Sequence, residues 1–433
     1  MIILYIVTLI LFIPFFFIYK SCIKESSIEL KTLLIYSLGI TILPGILISP
    51  LIYDISPRFE NITLETSVSV SIISLYFLST FLIPIYIINK KNKNKNKNKN
   101  KNIELTYSDI SLSKLLLFLS ILYLFIRLIL YYKNTPLYFI INNDVTGAAQ
   151  SRQLVQNKKL IIDIPYIGAT FKIFISLTTY LFFISYLKYN KYLFYFLISF
   201  IFSISYFILD MQKAPVFIII TNLILIYYSL KKLNIKLVFL ITLSLLSLIT
   251  LVISTSGNAN ILHIIYSIID RVILGQIQSM YYMFQYLDPS LSGFGYDFYF
   301  SSLFNQKFNA LPPNIKVIPY IPLYENNHTL VNVNTFYFGD TWSYLGWLGI
   351  FIIPLIVSII FYFTLVFFNA MKKNAIYLCL SITFFSFYPI TRSLTEILSF
   401  KYFLHYIIFG YIPIFILQYL HKHLKKRYEY RKN

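Results

Sequence analysis

The sequence predicts an all-α, polytopic integral membrane protein, and three observations carry that prediction. Of 433 residues, 58% are hydrophobic and only 12% are charged, against roughly 25% charged in an ordinary soluble domain. Apolar runs long enough to cross a hydrocarbon core of about 30 Å recur along the whole chain. The loops between them alternate in charge, as the inside bias of Lys and Arg requires.

Taken in order, eleven spans are expected, near 1–19, 33–52, 67–88, 113–132, 166–187, 192–209, 214–230, 237–254, 342–366, 375–391 and 402–420. The first, "MIILYIVTLILFIPFFFIYK", lacks a basic leading region and a small-residue cleavage site, and Lys20 follows its apolar run. It reads as an uncleaved helix rather than a signal peptide. Loops 20–32, 89–112, 188–191, 231–236, 367–374 and 421–433 hold most of the Lys and Arg and are assigned to the cytoplasm. The N-terminus then lies outside and the C-terminus inside the cytoplasmic (inner) membrane.

Residues 1–433 read as one polytopic membrane domain, within which 90–102, "KKNKNKNKNKNKN", offers nothing to bury and is expected to be a disordered cytoplasmic linker. Two exported stretches are long, 133–165 and 255–341. Loops beyond about 15 residues are usually functional or disordered. Twelve of the seventeen acids also fall outside: Asp54, Glu60, Glu65, Asp144, Asp163, Asp210, Asp270, Asp288, Asp297, Glu325, Asp340 and Glu396. The polar chemistry is therefore sought on the outer side.

The ninth span opens with "NVNTFYFGDTWSYLGWLGIF", which holds both tryptophans of the chain, Trp342 and Trp347. Indole suits the bilayer interface, with an apolar ring and one N–H seeking a polar partner. The glycines allow close packing or a tight turn there. Asp340 either caps the helix or faces a reaction.

Several function classes lose support. The net charge of +20 follows loop position, so it indicates topology and not nucleic acid. Cys22 and Cys379 offer no disulfide framework, and no His/Cys spacing suits a metal. P-loop, Gly-x-Ser-x-Gly and nucleotide-sugar Asp-x-Asp patterns are absent. No cofactor is expected.

Candidate residues follow from the exported segments. In "NNDVTGAAQSRQLVQNKK" an Asn or Asp can cap about three helical turns, and Arg152 falls near their middle. In "ILHIIYSIIDRVILGQ" the apolar residues share one broad face, with His263, Ser267, Asp270 and Arg271 opposite, as in an amphipathic interfacial helix. Asp210 and Lys213 share a short outer connection, as an ion pair or as snorkelling groups. Arg127 and Lys172 lie within their spans near the outer ends, close enough to snorkel. Arg392 precedes Glu396 by one helical turn. His328 stands in the large loop, either solvated or placed to take a proton near neutral pH.

With "GAAQSRQ" and its loop arginine, and "NTFYFGDTWSYLGWLGI" with Gly339, Asp340, Gly346 and Gly349 introducing a span, the chain resembles the O-antigen polymerase family, the Wzy-type oligosaccharide repeat-unit polymerases. The resemblance covers most of the chain in layout and those two places in detail. It departs from arginine-dense members, since the large loop contains only Arg271, Lys307 and Lys316. The resemblance implies a GT-C-like glycosyltransferase of the outer membrane face. It implies undecaprenyl-pyrophosphate-linked oligosaccharide as substrate, membrane lipid as surroundings, and a chain-length regulator and a flippase as partners. It also implies Arg152, Arg271, Lys213, Arg392, Arg127 and Lys172 on the pyrophosphate, with Asp340 or His328 as base, for Arg binds phosphate bidentately.

Two rivals remain at this point, a lipid-linked oligosaccharide flippase or other polytopic transporter, and an O-antigen ligase. Transporters often carry two related halves. No internal repeat is visible here, and the 87-residue outer loop suits a surface reaction better.

Overall fold

The computed structural model describes residues 2–95, 105–144, 147–148, 150–151, 154, 163–164, 167–210, 213–230, 273–291, 294, 312–322, 336–371, 374–388, 390 and 394–430. Among the described residues there are helices and turns but no strands. The helices used below are α1 (Ile2–Glu25), α2 (Ile28–Ile52), α3 (Leu64–Lys95), α4 (Tyr107–Tyr131), α5 (Pro136–Ile141), α6 (Ile167–Tyr189) and α7 (Leu193–Leu209). Then follow α8 (Lys213–Leu230), α9 (Gln278–Tyr286), α10 (Phe338–Met371), α11 (Ala375–Ser386), α12 (Leu394–Leu398) and α13, which continues from Lys401 through a π-turn to Tyr430.

Among the described residues, six segments are long and apolar enough to cross a membrane: α2, and within or around the others Leu64–Lys91, Tyr107–Asn134, Ile167–Tyr189, Phe338–Met371 and Lys401–His421. Leu193–Leu209, Pro215–Leu230 and Ala375–Ser386 are apolar but shorter. Every expected span except 237–254, which lies outside the described residues, falls on one of these helices or on α1. The helix α3 carries on to Lys95, into the Lys/Asn run expected to be disordered from residue 90. Lys continues a helix well and its charge suits a helix C-terminus.

Local bonds satisfy the polar groups of these apolar helices. Hydroxyl groups within the spans bond their own backbone one turn back, as Ser113 does to the Asp109 carbonyl, Ser120 to Leu116 and Thr364 to Ile360. Caps fix the ends. Thr106 and Asp109 form a reciprocal capping box at the start of α4. Phe118, Ile129, Phe194, Phe351 and Phe363 are exposed on their helices, an apolar surface that suits lipid rather than water.

The chain divides into two compact units, residues 1–100, 234–367 and 388–402 in one, and 101–233, 368–387 and 403–433 in the other. In the first, α1 meets α2 through the Tyr19 hydroxyl, which donates to the Leu34 carbonyl at 2.6 Å. Phe81 of α3 stacks on Phe361 of α10 with centroids 4.3 Å apart, and Ser358 donates to the Thr80 carbonyl at 2.9 Å.

The long stretch 255–341, expected outside, also contributes core to this unit. Met280, Tyr281, Tyr282 and Met283 of α9 are wholly buried. Tyr281 bonds Ser49 at 2.5 Å, Arg58 donates to Gln278 Oε1 at 3.0 Å, and Gln278 Nε2 returns a bond to the Arg58 carbonyl at 3.0 Å. Residues 278–286 of the stretch thus form a helix packed into this unit.

In the second unit α6 is the central helix, packed against α4, α7, α8 and α11. Its interior carries hydrogen bonds: Asn222 of α8 donates to the Tyr180 hydroxyl at 2.6 Å and to Ser386 at 2.8 Å. All three are buried, and pairing of this kind is required where water cannot reach.

Contacts inside each unit join helix ends that the charge pattern assigns to the same side. Asn89 reaches Ser26 at 3.1 Å, and Tyr189 reaches the Leu105 carbonyl at 3.2 Å, both between expected cytoplasmic ends. The Arg58–Gln278 contact, and those of Asp163 and Asp210 described next, join expected outer ends.

Candidate functional site

A cluster of charged side chains lies in the second unit, where α4 ends, α6 begins and α7 ends. Tyr123 and Arg127 are four residues apart on α4 and therefore share a face. Arg127 is 1% exposed. Its Nη2 pairs closely with Asp210, at the end of α7, and its Nη1 donates to the Tyr206 carbonyl at 3.4 Å. The guanidinium carbon also lies 4.6 Å from the Tyr206 ring centroid.

Asp163, just before α6, completes the cluster. Its Oδ2 accepts from the Tyr206 hydroxyl at 2.7 Å, and its Oδ1 accepts from the Tyr123 hydroxyl and from the Ile164 amide at 3.1 Å. Arg127 Nε stands 3.9 Å from Oδ1, farther than from Asp210. Asp163 thus receives hydroxyl groups where Asp210 receives the guanidinium. Burial pushes its pKa up to about 6; Asp210's charge acts the same way, against the Tyr206 bond, the Ile164 amide and Lys172.

Two neighbours set the space around that carboxylate. Gly168 leaves room for it, since a Cβ there would come 2.3 Å from the Asp163 carboxylate. The Tyr123 ring stacks on Phe171, with centroids 4.4 Å apart. Lys172 is half-buried, its Nζ 5.2 Å from the Phe207 ring centroid. The arrangement holds two cations and two carboxylates, one of them partly open at 29% exposure, so it can exchange a proton and change its net charge.

Arg127 and Lys172 were expected as substrate-binding or snorkelling groups, and the structure gives both inward partners at the helix ends. Asp163 reads from the sequence only as an outer-side acid, and Asp210 as a local partner of Lys213 rather than of Arg127. The signal that would have found them is topological: an arginine inside a span needs a counter-charge, and these acids flank the two spans that share its outer end.

Asp340 lies in the first unit, in the first turn of α10, and is 2% exposed. Its Oδ2 accepts from the Leu394 amide at 2.7 Å, at the start of α12. It therefore caps a helix, though not its own. Gly346 interrupts α10 with φ +56° and ψ −139°, so the helix is two segments meeting at a bend. A Cβ at Gly346 would come 2.9 Å from Pro289 Cγ. Trp342 is half-buried and donates to the Leu287 carbonyl at 3.2 Å, whereas Trp347 is exposed. Of the two expected interfacial anchors, Trp342 instead fastens the end of α9.

Arg152, Arg271, Arg392 and His328 fall outside the described residues, as does the amphipathic stretch 261–276 apart from 273–276, where Leu274–Gln276 form a 3-10 turn. Lys213 begins α8, but its side chain is outside them too. Around Arg152, the expected cap is present: Asp144 Oδ1 accepts from the Gly147 amide at 2.7 Å, and Gly147, Ala148, Gln150, Ser151 and Leu154 are helical. Among the described residues no group of three or more His, Cys, Asp or Glu side chains is placed to hold a metal ion.

No protein-family model matches the chain, and no curated protein or solved structure matches it significantly.

Proposed function

We propose that this chain is an oligosaccharide repeat-unit polymerase acting at the outer face of the cytoplasmic membrane. It transfers a growing glycan from undecaprenyl pyrophosphate to the non-reducing sugar of another lipid-linked repeat unit, making O-antigen, capsule or exopolysaccharide. The observation that carries this reading is the Arg127–Asp163–Asp210–Lys172 cluster at the ends of three apolar helices. Ionisable side chains within a membrane bundle are costly and are kept for function. A lipid-linked pyrophosphate reacts at headgroup depth, where helix ends lie.

In this reading the architecture is GT-C-like, with eleven spans, an outer N-terminus and a cytoplasmic C-terminus. Arg152 and Lys213, which belong to the same unit as the cluster, add positive charge around the departing pyrophosphate. A chain-length regulator and a flippase act beside it.

Deleting the gene and examining surface glycan tests the proposal. Loss of long chains, with single repeats still displayed, is the expected result. Accumulation of lipid-linked units on the inner face would replace the polymerase with a flippase.

A further inference from the structure

Resting on the polymerase reading, we infer that Asp163 is the general base of the transfer, and that its protonation exposes the leaving pyrophosphate to the charge of Arg127 and Lys172. The geometry meets what a base requires. A carboxylate offers about four lone-pair positions, and hydrogen bonds from Tyr206, Tyr123 and the Ile164 amide occupy three of them. One position on Oδ2 remains, and the side chain is 29% exposed while Arg127 is 1% exposed. Asp163 is the member of the cluster that a substrate hydroxyl can reach.

The other carboxylates are placed differently. Asp210 is in close contact with the guanidinium and is only 10% exposed. Asp340 is buried and holds the start of α12. Among the described residues, the charged and titratable groups around Asp163 are Tyr123 and Arg127 from α4, Lys172 from α6, and Tyr206 and Asp210 from α7 and its end. Protonation of Asp163 removes one negative charge from beside Arg127 and Lys172.

The step balances as follows. The acceptor hydroxyl oxygen attacks the anomeric carbon of the lipid-linked glycan and forms the new glycosidic bond. The bond from that carbon to the pyrophosphate oxygen breaks, and its electron pair leaves with undecaprenyl pyrophosphate. The hydroxyl proton passes to Asp163. Uptake of that proton removes a negative charge from the site as negative charge develops on the leaving group, so proton transfer and anion stabilisation reinforce one another.

The test uses the full-length purified protein in lipid nanodiscs, with undecaprenyl-pyrophosphate-linked repeat units extracted from cells lacking the gene. Elongation by the parent protein should fall on the acid side of about pH 6. Asp163→Asn should slow elongation at pH 7.5 by about 10²–10⁴-fold, the usual contribution of a general base. Tyr206→Phe removes a hydrogen bond that favours the ionised carboxylate and should move the acid limb to higher pH. This second variant decides the matter even if Asp163→Asn does not fold. Parental elongation by Asp163→Asn, or an unmoved acid limb in Tyr206→Phe, overturns the assignment while leaving the polymerase reading intact. Failure of the parent protein to elongate would instead overturn both.

Discussion

The docked segment α9 of the first unit and the ionic cluster of the second both tie together helix ends expected to lie outside, but they do so with different chemistry. Around α9 the described bonds to its own side chains join hydroxyl, amide and carbonyl groups with one guanidinium. Tyr281 meets Ser49, Gln278 meets Arg58 in both directions, and Tyr282 donates to the Glu60 carbonyl at 2.6 Å. Around Arg127 two carboxylates converge, one in close contact and one 3.9 Å away. Neutral bonds hold a shape at little electrostatic cost. Converging charges are expensive to bury and respond to a proton. The first arrangement therefore suits a fastening, and the second responds to protonation.

The largest test of this contrast is Arg127→Ala. It leaves Asp210 buried opposite no guanidinium, and removing one partner of a buried ion pair costs about 3–5 kcal/mol. Replacing Arg127 and Asp210 together by apolar residues should cost much less, since both charges then leave the interior. Thermal unfolding in detergent compares the two, and equal losses would show that packing, not charge, holds the cluster.

Backbone strain gives the next effect. At Gly346 an L-residue would take φ near +56° and push its Cβ toward Pro289. Gly346→Ala should destabilise by about 1–3 kcal/mol. An unchanged melting temperature would mean that α10 can straighten.

Tyr281→Phe removes one hydroxyl from the fastening and should cost about 0.5–1.5 kcal/mol. It should not alter how stability varies with pH, and here the two regions part. Burial raises the folded pKa of Asp163 from its ordinary 3.8 to about 6. Its contribution therefore favours the folded state most below about pH 4 and is lost as pH rises through about 6. Melting followed from pH 4.5 to 7.5 should retain that downward slope in Tyr281→Phe and lose it in Asp163→Asn.

The smallest effect belongs to Asp340→Asn. Asn caps a helix about as well as Asp, so its side-chain oxygen can still accept from Leu394. The loss of stability should stay below the roughly 1 kcal/mol that losing the cap altogether would cost, and elongation should stay at the parental rate if Asp163 is the base. Loss of elongation in a stably folded Asp340→Asn protein would return that role to Asp340.

What the sequence determined by itself is the part of the structure governed by solvent. Apolar runs of membrane length must become helices, because a backbone in hydrocarbon has to satisfy its own hydrogen bonds. This is why α2, α3, α4, α6 and α10 lie where the hydropathy places them. Asp144 before Gly147 was legible as a cap for a similar local reason, since a side chain bonding an amide three residues on needs no tertiary partner. The tertiary structure alone decided which distant groups meet. Asp163, 36 residues after Arg127 and 47 before Asp210, reads as one more outer acid until α4, α6 and α7 bring their ends together. Asp340 was legible as a capping residue, but not as the cap of a helix that starts 54 residues later. The long stretch after residue 255 looked like a loop because no run within it reaches membrane length, yet Tyr281 and Met283 are buried. Neighbouring helices supply the apolar surface that a short segment cannot provide for itself.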